Sequence, residues 1–128
     1  MTKIFVDTDI LIDYSKGYSQ FLENLLEKQD QKQLELWVNP IVIAEFFTDS
    51  NLRNKEKLEK AKDFFGFFRV IEINKKIGLL AGEFLREEKV NFMGDALIAA
   101  TCILEKIHLV TGNKKHFSKI SSLDFFKV

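Results

Sequence analysis

Four oxygen-bearing residues fall where one site could form. Asp7 follows the apolar run Ile4-Phe5-Val6, and Glu45 lies in Ile43-Ala44-Glu45-Phe46-Phe47. Asp95 lies in Gly94-Asp95-Ala96-Leu97-Ile98-Ala99-Ala100, and Asn113 follows Leu109-Val110-Thr111-Gly112. Three carboxylates and a carboxamide are hard ligands suited to Mg2+ or Mn2+, ions held by a few protein oxygens while waters and substrate phosphate complete the shell. Such a site activates water and offsets the charge that grows on a phosphodiester during in-line attack. No serine, cysteine or histidine stands beside a base of its own to serve as a nucleophile.

Each residue also has a structural reading. Asp7 or Asp9 suits a helix N-cap, Asp95 a first helical turn near the positive end of the dipole, and Asn113 a left-handed turn beside Gly112. Glu45 is different, because Ile41, Val42, Ile43, Ala44, Phe46 and Phe47 surround it in sequence with no Lys or Arg within a turn. The expectation is a buried carboxylate whose charge a shared cation balances. His108 and His116 are isolated, lack zinc-ligand spacing, and read as structural or surface residues. Cys102, alone in an apolar run, reads as a small buried hydrophobe.

The elements that must position these groups alternate between strand and helix. Strands are expected at Lys3–Val6, Leu36–Val38, Val70–Ile73 and His108–Thr111, with an edge strand at Asp124–Val128. Helices are expected from about Asp9 to Gly17, over Gln20–Lys28, from Pro40 to Phe47 with Asn39 as cap, and over Lys55–Phe68. Two more run from Asn74 to about Lys89 and from Gly94 to Lys106, and a short one follows Asn113. Strands separated by helices predict an α/β fold with a parallel sheet of about five short strands between helical layers. Ligands of such sheets bind beyond the carboxyl ends of the strands, which is where all four oxygen-bearing residues fall.

The 128 residues suit a single domain, 1–128, with a core of ordinary size. Lys and Arg total 19, as do Asp and Glu, so any attraction to nucleic acid must come from local patches. Candidates are Arg53, Lys55 and Lys57, Lys75 and Lys76, and Lys114 and Lys115, although such runs are more often solvated faces. Thirteen phenylalanines form an unusual aromatic load, and the run Phe64-Phe65-Gly66-Phe67-Phe68 cannot all face one core. The strand that follows Met1 directly leaves no leader to expect, and no apolar stretch nears the roughly 18–20 residues of a membrane span. The expected location is cytoplasmic, with no membrane association.

In order along the chain, Val6-Asp7-Thr8-Asp9-Ile10-Leu11-Ile12-Asp13, Ile43-Ala44-Glu45, Gly94-Asp95-Ala96-Leu97-Ile98-Ala99-Ala100 and Leu109-Val110-Thr111-Gly112-Asn113 with His116-Phe117 resemble the PIN-domain family, and within it the VapC-type toxins. The resemblance spans nearly the whole chain and rests on the ordered set rather than on any one piece. It implies a PIN-like three-layer fold and a metal-dependent endoribonuclease, the toxin of a toxin–antitoxin pair, with RNA as substrate, a cognate antitoxin as partner and a homodimeric state. It further implies that Asp7, Glu45 and Asp95 hold Mg2+ or Mn2+, with Asn113 in a fourth position often taken by aspartate. Thr111 matches a hydroxyl residue that orients the cluster, and Thr8 and Asp9 match positions that support the first acid. Two departures stand out. Asn113 removes a charge, and His116 stands where many members carry an acid.

Competing readings meet specific obstacles. A haloacid-dehalogenase-type phosphatase, imitated by Asp7-Thr8-Asp9, needs a second acidic pair late in the chain, and Asp95 is followed by no acid until Glu105. A receiver-like signalling domain needs a phospho-acceptor aspartate ending the third strand, which here runs into Asn74. A non-catalytic PIN-like binding module would be expected to shed its acids, and three remain. A stand-alone RNA-processing nuclease shares every feature of the site and differs only in lacking an antitoxin.

Overall fold

The computed structural model describes residues 1–127. Strand β1 (Thr2–Val6) leads through α1 (Thr8–Ser15) and α2 (Phe21–Asp30) into β2 (Leu34–Val38) and α3 (Pro40–Phe46). A 3-10 turn at Ser50–Arg53 and α4 (Lys55–Phe65) lead to β3 (Arg69–Val70). Then come α5 (Lys75–Arg86), α6 (Met93–Glu105), β4 (His108–Val110) and a 3-10 turn at Lys114–Phe117.

The sheet order is β3-β2-β1-β4 and every pairing is parallel. Ile4, Phe5 and Val6 of β1 are successive and all fully buried, so both faces of the sheet are covered. That makes the arrangement helix–sheet–helix. α6 owes its central place to composition: Ala96, Ile98, Ala99, Ala100, Thr101 and Cys102 are all buried along it. No helix among the described residues is long and apolar enough to cross a membrane.

Caps fall where short polar side chains precede helices. Asn39, Asn54 and Asn74 each accept a hydrogen bond from the third residue onward, opening α3, α4 and α5. Two expectations at the sheet edges need correction. The third strand is only Arg69–Val70, with Ile71 N–H donating to Val38 as its last ladder bond. The expected edge strand at Asp124–Val128 is reduced to one bridge, Leu109 to Phe125, and Val128 lies outside the described residues. β4 is three residues long, so it offers a partner little more than Leu109 to pair with. The sheet therefore has four strands rather than five.

Strand order fixes where a site can sit. β1 is followed in space by β2 on one side and by β4 on the other, so the direction of winding reverses at β1. At such a switch point the loops leaving adjacent strands part and open a crevice at their carboxyl ends. Asp7 and Thr111 are the residues that leave β1 and β4 there.

Candidate active site

Asp7 is built into the end of the sheet. Its N–H donates to Val110 at 3.0 Å, extending the β1–β4 ladder by one bond. Its Oδ1 accepts from Thr8 N–H at 2.7 Å, capping α1, and its Oδ2 accepts from the Thr111 hydroxyl at 2.7 Å. The cap reading of this residue is thus realised, but it occupies one oxygen and leaves the other at the crevice. Only 6% of Asp7 is exposed. Burial, then the charge of Asp9, push its carboxyl up to about 7, against the bonds from Thr111 and Thr8, while Asp95 adds a smaller upward push. A carboxylate in that position gains from any nearby cation.

Asp9, one residue on, is anchored across the switch point. Its Oδ2 accepts from Gly112 N–H at 2.8 Å and from the Asn113 amide at 3.3 Å. Its Oδ1 is buried and has no hydrogen-bond partner, and burial again raises the pKa of the carboxyl. A Cβ at Gly112 would stand 2.6 Å from Asp9 Oδ2, so only glycine admits this contact. Asn113 N–H in turn donates to the Thr111 hydroxyl at 3.0 Å. Thr111 therefore links Asp7 to the loop that carries Asn113.

Glu45 reaches the same region from α3. Its Oε1 accepts from the Thr8 hydroxyl at 2.7 Å. Its Oε2 packs against Gly94, where a Cβ would stand only 2.8 Å away. The expectation that Glu45 is buried is wrong. α3 turns Val42 and Phe46 inward and leaves Ala44 and Glu45 exposed, so a helix of seven residues has a polar rim despite its apolar sequence. Its position, not enforced burial, is what commends it as a ligand. Buried Asn39 ties α3 to α6 by donating to the Thr101 hydroxyl at 3.1 Å, while its own oxygen caps Val42. Thr101, which carries no recognisable motif, is the unforeseen part of this frame.

Asp95 enters from the first turn of α6, whose N-cap, Phe92, has no capping side chain. His116 Nδ1 lies 3.1 Å from Asp95 Oδ2. His116 is a surface residue as expected, yet it is also the nearest polar partner of a candidate ligand. The signal available in sequence was its place three residues after Asn113, one 3-10 turn further along the same loop.

These donors fit a hard divalent cation. The first atoms at the crevice are carboxylate oxygens, Asp7 is held charged only at a cost, and the buried Asp9 Oδ1 lacks a partner. Among the described residues, no three acidic or histidine side chains converge closely enough to enclose an ion by themselves. Mg2+ does not require that, since it commonly keeps several waters and takes one or two carboxylates.

The PIN-domain family profile matches residues 4–123, and the chain belongs to the PIN-domain family. It is similar to Ribonuclease VapC2 of Methanocaldococcus jannaschii, at 27% identity over 98% of this chain and 94% of that protein. Ribonuclease VapC1 of the same organism is 28% identical over 93% of this chain and 82% of its own length. Among solved structures, VapBC2 from Rickettsia felis bound to a DNA fragment from their promoter matches at a TM-score of 0.81, with 25% identity and 98% of each chain covered.

Proposed function

We propose that this protein is a Mg2+- or Mn2+-dependent endoribonuclease that hydrolyses RNA phosphodiester bonds as the toxin of a toxin–antitoxin pair. The observation that carries the reading is that Asp7, Glu45 and Asp95 lie on elements leaving the carboxyl edge of the sheet, with Asp7 and Glu45 joined through Thr8, which donates to both, and Asp95 near enough for its charge to act on Asp7. Similarity along almost the full length to two VapC ribonucleases supports the same substrate class.

Asp7, Glu45 and Asp95 are the ligands, with Asn113 in the fourth position. A bound divalent cation supplies Lewis acidity and neutralises charge on the scissile phosphate. The protein's own part is placement. Thr111 favours the ionised form of Asp7 by donating to it, and Thr8 aims Glu45 toward Gly94. Asp9 pins the Gly112–Asn113 loop beside Asp7. His116 positions Asp95. An RNA substrate sets the work in the cytoplasm.

The partner reading has its own support. A groove between α1, α2 and α4 is lined by Tyr14, Leu26, Phe64 and Phe67, and Phe67 is 61% exposed. It continues past Phe46 and Leu52 to a cleft that ends at Glu45. An antitoxin segment with apolar side chains would fill it and reach the site. Phe64, Phe65 and Phe68 close into a ring cluster with Phe46 and Phe47, which leaves Phe67 as the member of the run free for a partner.

The test is cleavage of a labelled single-stranded RNA by purified protein. We expect cleavage in Mg2+ or Mn2+ that stops in excess chelator. Undiminished cleavage in chelator would remove the metal from the account.

A further inference from the structure

The catalytic edge of this protein is acidic, and its substrate is a polyanion. The net charge of zero offers no general attraction, so something local must hold the RNA against the carboxylates. One small cleft answers that need. It lies between the end of α5 and the 3-10 turn after Asn113, and is lined by Lys89, Asn91, Lys115, His116, Ser118 and Lys119. Its volume is about 110 Å3. That is room for a small group such as one phosphate.

The fold builds this cleft deliberately from two chain reversals. α5 ends with Glu88 in the left-handed region at φ 56, and Lys89 N–H reaches back to Phe84 at 2.8 Å. That turn brings Lys89 and Asn91 to face the Lys114–Phe117 turn. Glu88 also lines the cleft and offsets one of the three lysine charges. Even so, none of Lys89, Lys115 and Lys119 forms an ion pair among the described residues. Three lysines on one cleft with a single carboxylate leave it net positive, an arrangement that gains from an anion.

The cleft shares His116 with the candidate active site, since the ring that lines it also places Nδ1 3.1 Å from Asp95. The cleft and Asp95 thus share the His116 side chain. Phe92, 60% exposed, has its ring centroid 6.0 Å from that of His116 and offers a face on which a base could stack. We infer that the Lys89–Lys115–Lys119 cleft is a subsite for a single RNA backbone phosphate flanking the scissile one. The inference rests on the ribonuclease reading above. Lysine ammonium groups there neutralise that phosphate, Asn91 and Ser118 supply neutral hydrogen bonds, and the strand is fixed in register over Asp95.

Salt dependence of RNA binding separates this from a merely solvated lysine face. A fluorescent single-stranded RNA is titrated, in chelator so that it is not consumed, with wild type and with the triple variant Lys89→Gln/Lys115→Gln/Lys119→Gln, between about 50 and 200 mM salt. One phosphate lost should make the slope of log K against log salt shallower by about 0.7, with affinity about tenfold lower at the low-salt end. The triple arginine variant should keep the wild-type slope, and Lys28→Gln on α2 should leave it unchanged. A triple-Gln slope equal to wild type would overturn the subsite, and so would a loss near three times 0.7, which would mean separate phosphates scattered over a face. Cleavage of the same RNA by wild type with Mn2+ is read in parallel. Cleavage with an unaltered triple-Gln slope discards the subsite alone, whereas no cleavage with the slope change as expected discards the nuclease reading and leaves an RNA-phosphate site.

Discussion

Gly94 and Glu45 are in van der Waals contact across two helices, and a Cβ at Gly94 would come within 2.8 Å of Glu45 Oε2. The glycine at the start of α6 is therefore a steric allowance for a carboxylate. Glycine in a helix costs about 0.5–1 kcal/mol relative to alanine, so its presence here trades helix stability for the position of Glu45.

Gly94→Ala separates those two effects. The variant should melt at or slightly above the wild-type temperature, because the displaced Glu45 is the far end of a flexible side chain. RNA cleavage should fall at least about tenfold, the cost of a misplaced ligand. Thermal melts and initial rates check this, and an active, more stable variant would show that Glu45 does not need its observed place.

Asp7 sets a pH dependence with a definite sign. Its folded carboxyl holds a proton up to about 7, whereas an aspartate in the unfolded chain loses it near 3.8. The folded state thus binds more protons than the unfolded chain between these values. Stability of the metal-free protein should fall as pH rises from about 4 to about 7 and level off above. The change owed to this residue is on the order of 4 kcal/mol at most. Denaturant melts in chelator should show it in wild type, and Asp7→Asn should be flatter across that window. Parallel curves for the two proteins would contradict it.

Thr111 supplies the hydroxyl that opposes this rise. Thr111→Val keeps the approximate shape and removes both the bond to Asp7, worth roughly 1.5–3 kcal/mol to a carboxylate, and the acceptor for Asn113 N–H. The metal concentration for half-maximal cleavage should rise up to about tenfold, with the maximal rate much less affected. A fall in maximal rate alone would give Thr111 a different role.

Asn113 poses a question the geometry sharpens. Its amide donates to Asp9 Oδ2 at 3.3 Å, so Asn113→Asp replaces a donor with a like charge. The apo protein should be slightly less stable, while saturating Mn2+ should stabilise the variant more than wild type. Equal stabilisation by metal would exclude Asn113 from the ligand set and leave it as the loop's tie to Asp9.

Much of the fold and part of the site were legible in sequence for physical reasons. Asn39-Pro40 announced α3 because a side-chain acceptor followed by a residue without N–H suits a helix start. The apolar stretch after Asp95 announced the buried helix. Asp7 and Thr111 were legible because both directly follow apolar strands. Other features depend on contacts between distant segments. Glu45 looked buried because its neighbours are apolar, but a two-turn helix buries Val42 and Phe46, packs Ile43 and Phe47 partly, and leaves Glu45 outside. The Asn39–Thr101 bond spans 62 residues, and the approach of His116 to Asp95 spans 21; neither has a local signature. The last strand failed because pairing requires a long enough neighbour, and β4 is short.

The central claim is that Asp7 and Asp95 hold a divalent cation rather than merely cap helices. The direct measurement is the melting temperature of wild type, Asp7→Asn and Asp95→Asn, each with chelator and with saturating Mn2+. The account predicts that wild type gains stability with Mn2+ by linkage. Both variants should lose that gain while melting in chelator at or above wild type, because removing one of several crowded charges relieves repulsion. Variants that melt well below wild type in chelator and still gain the full Mn2+ shift would contradict it.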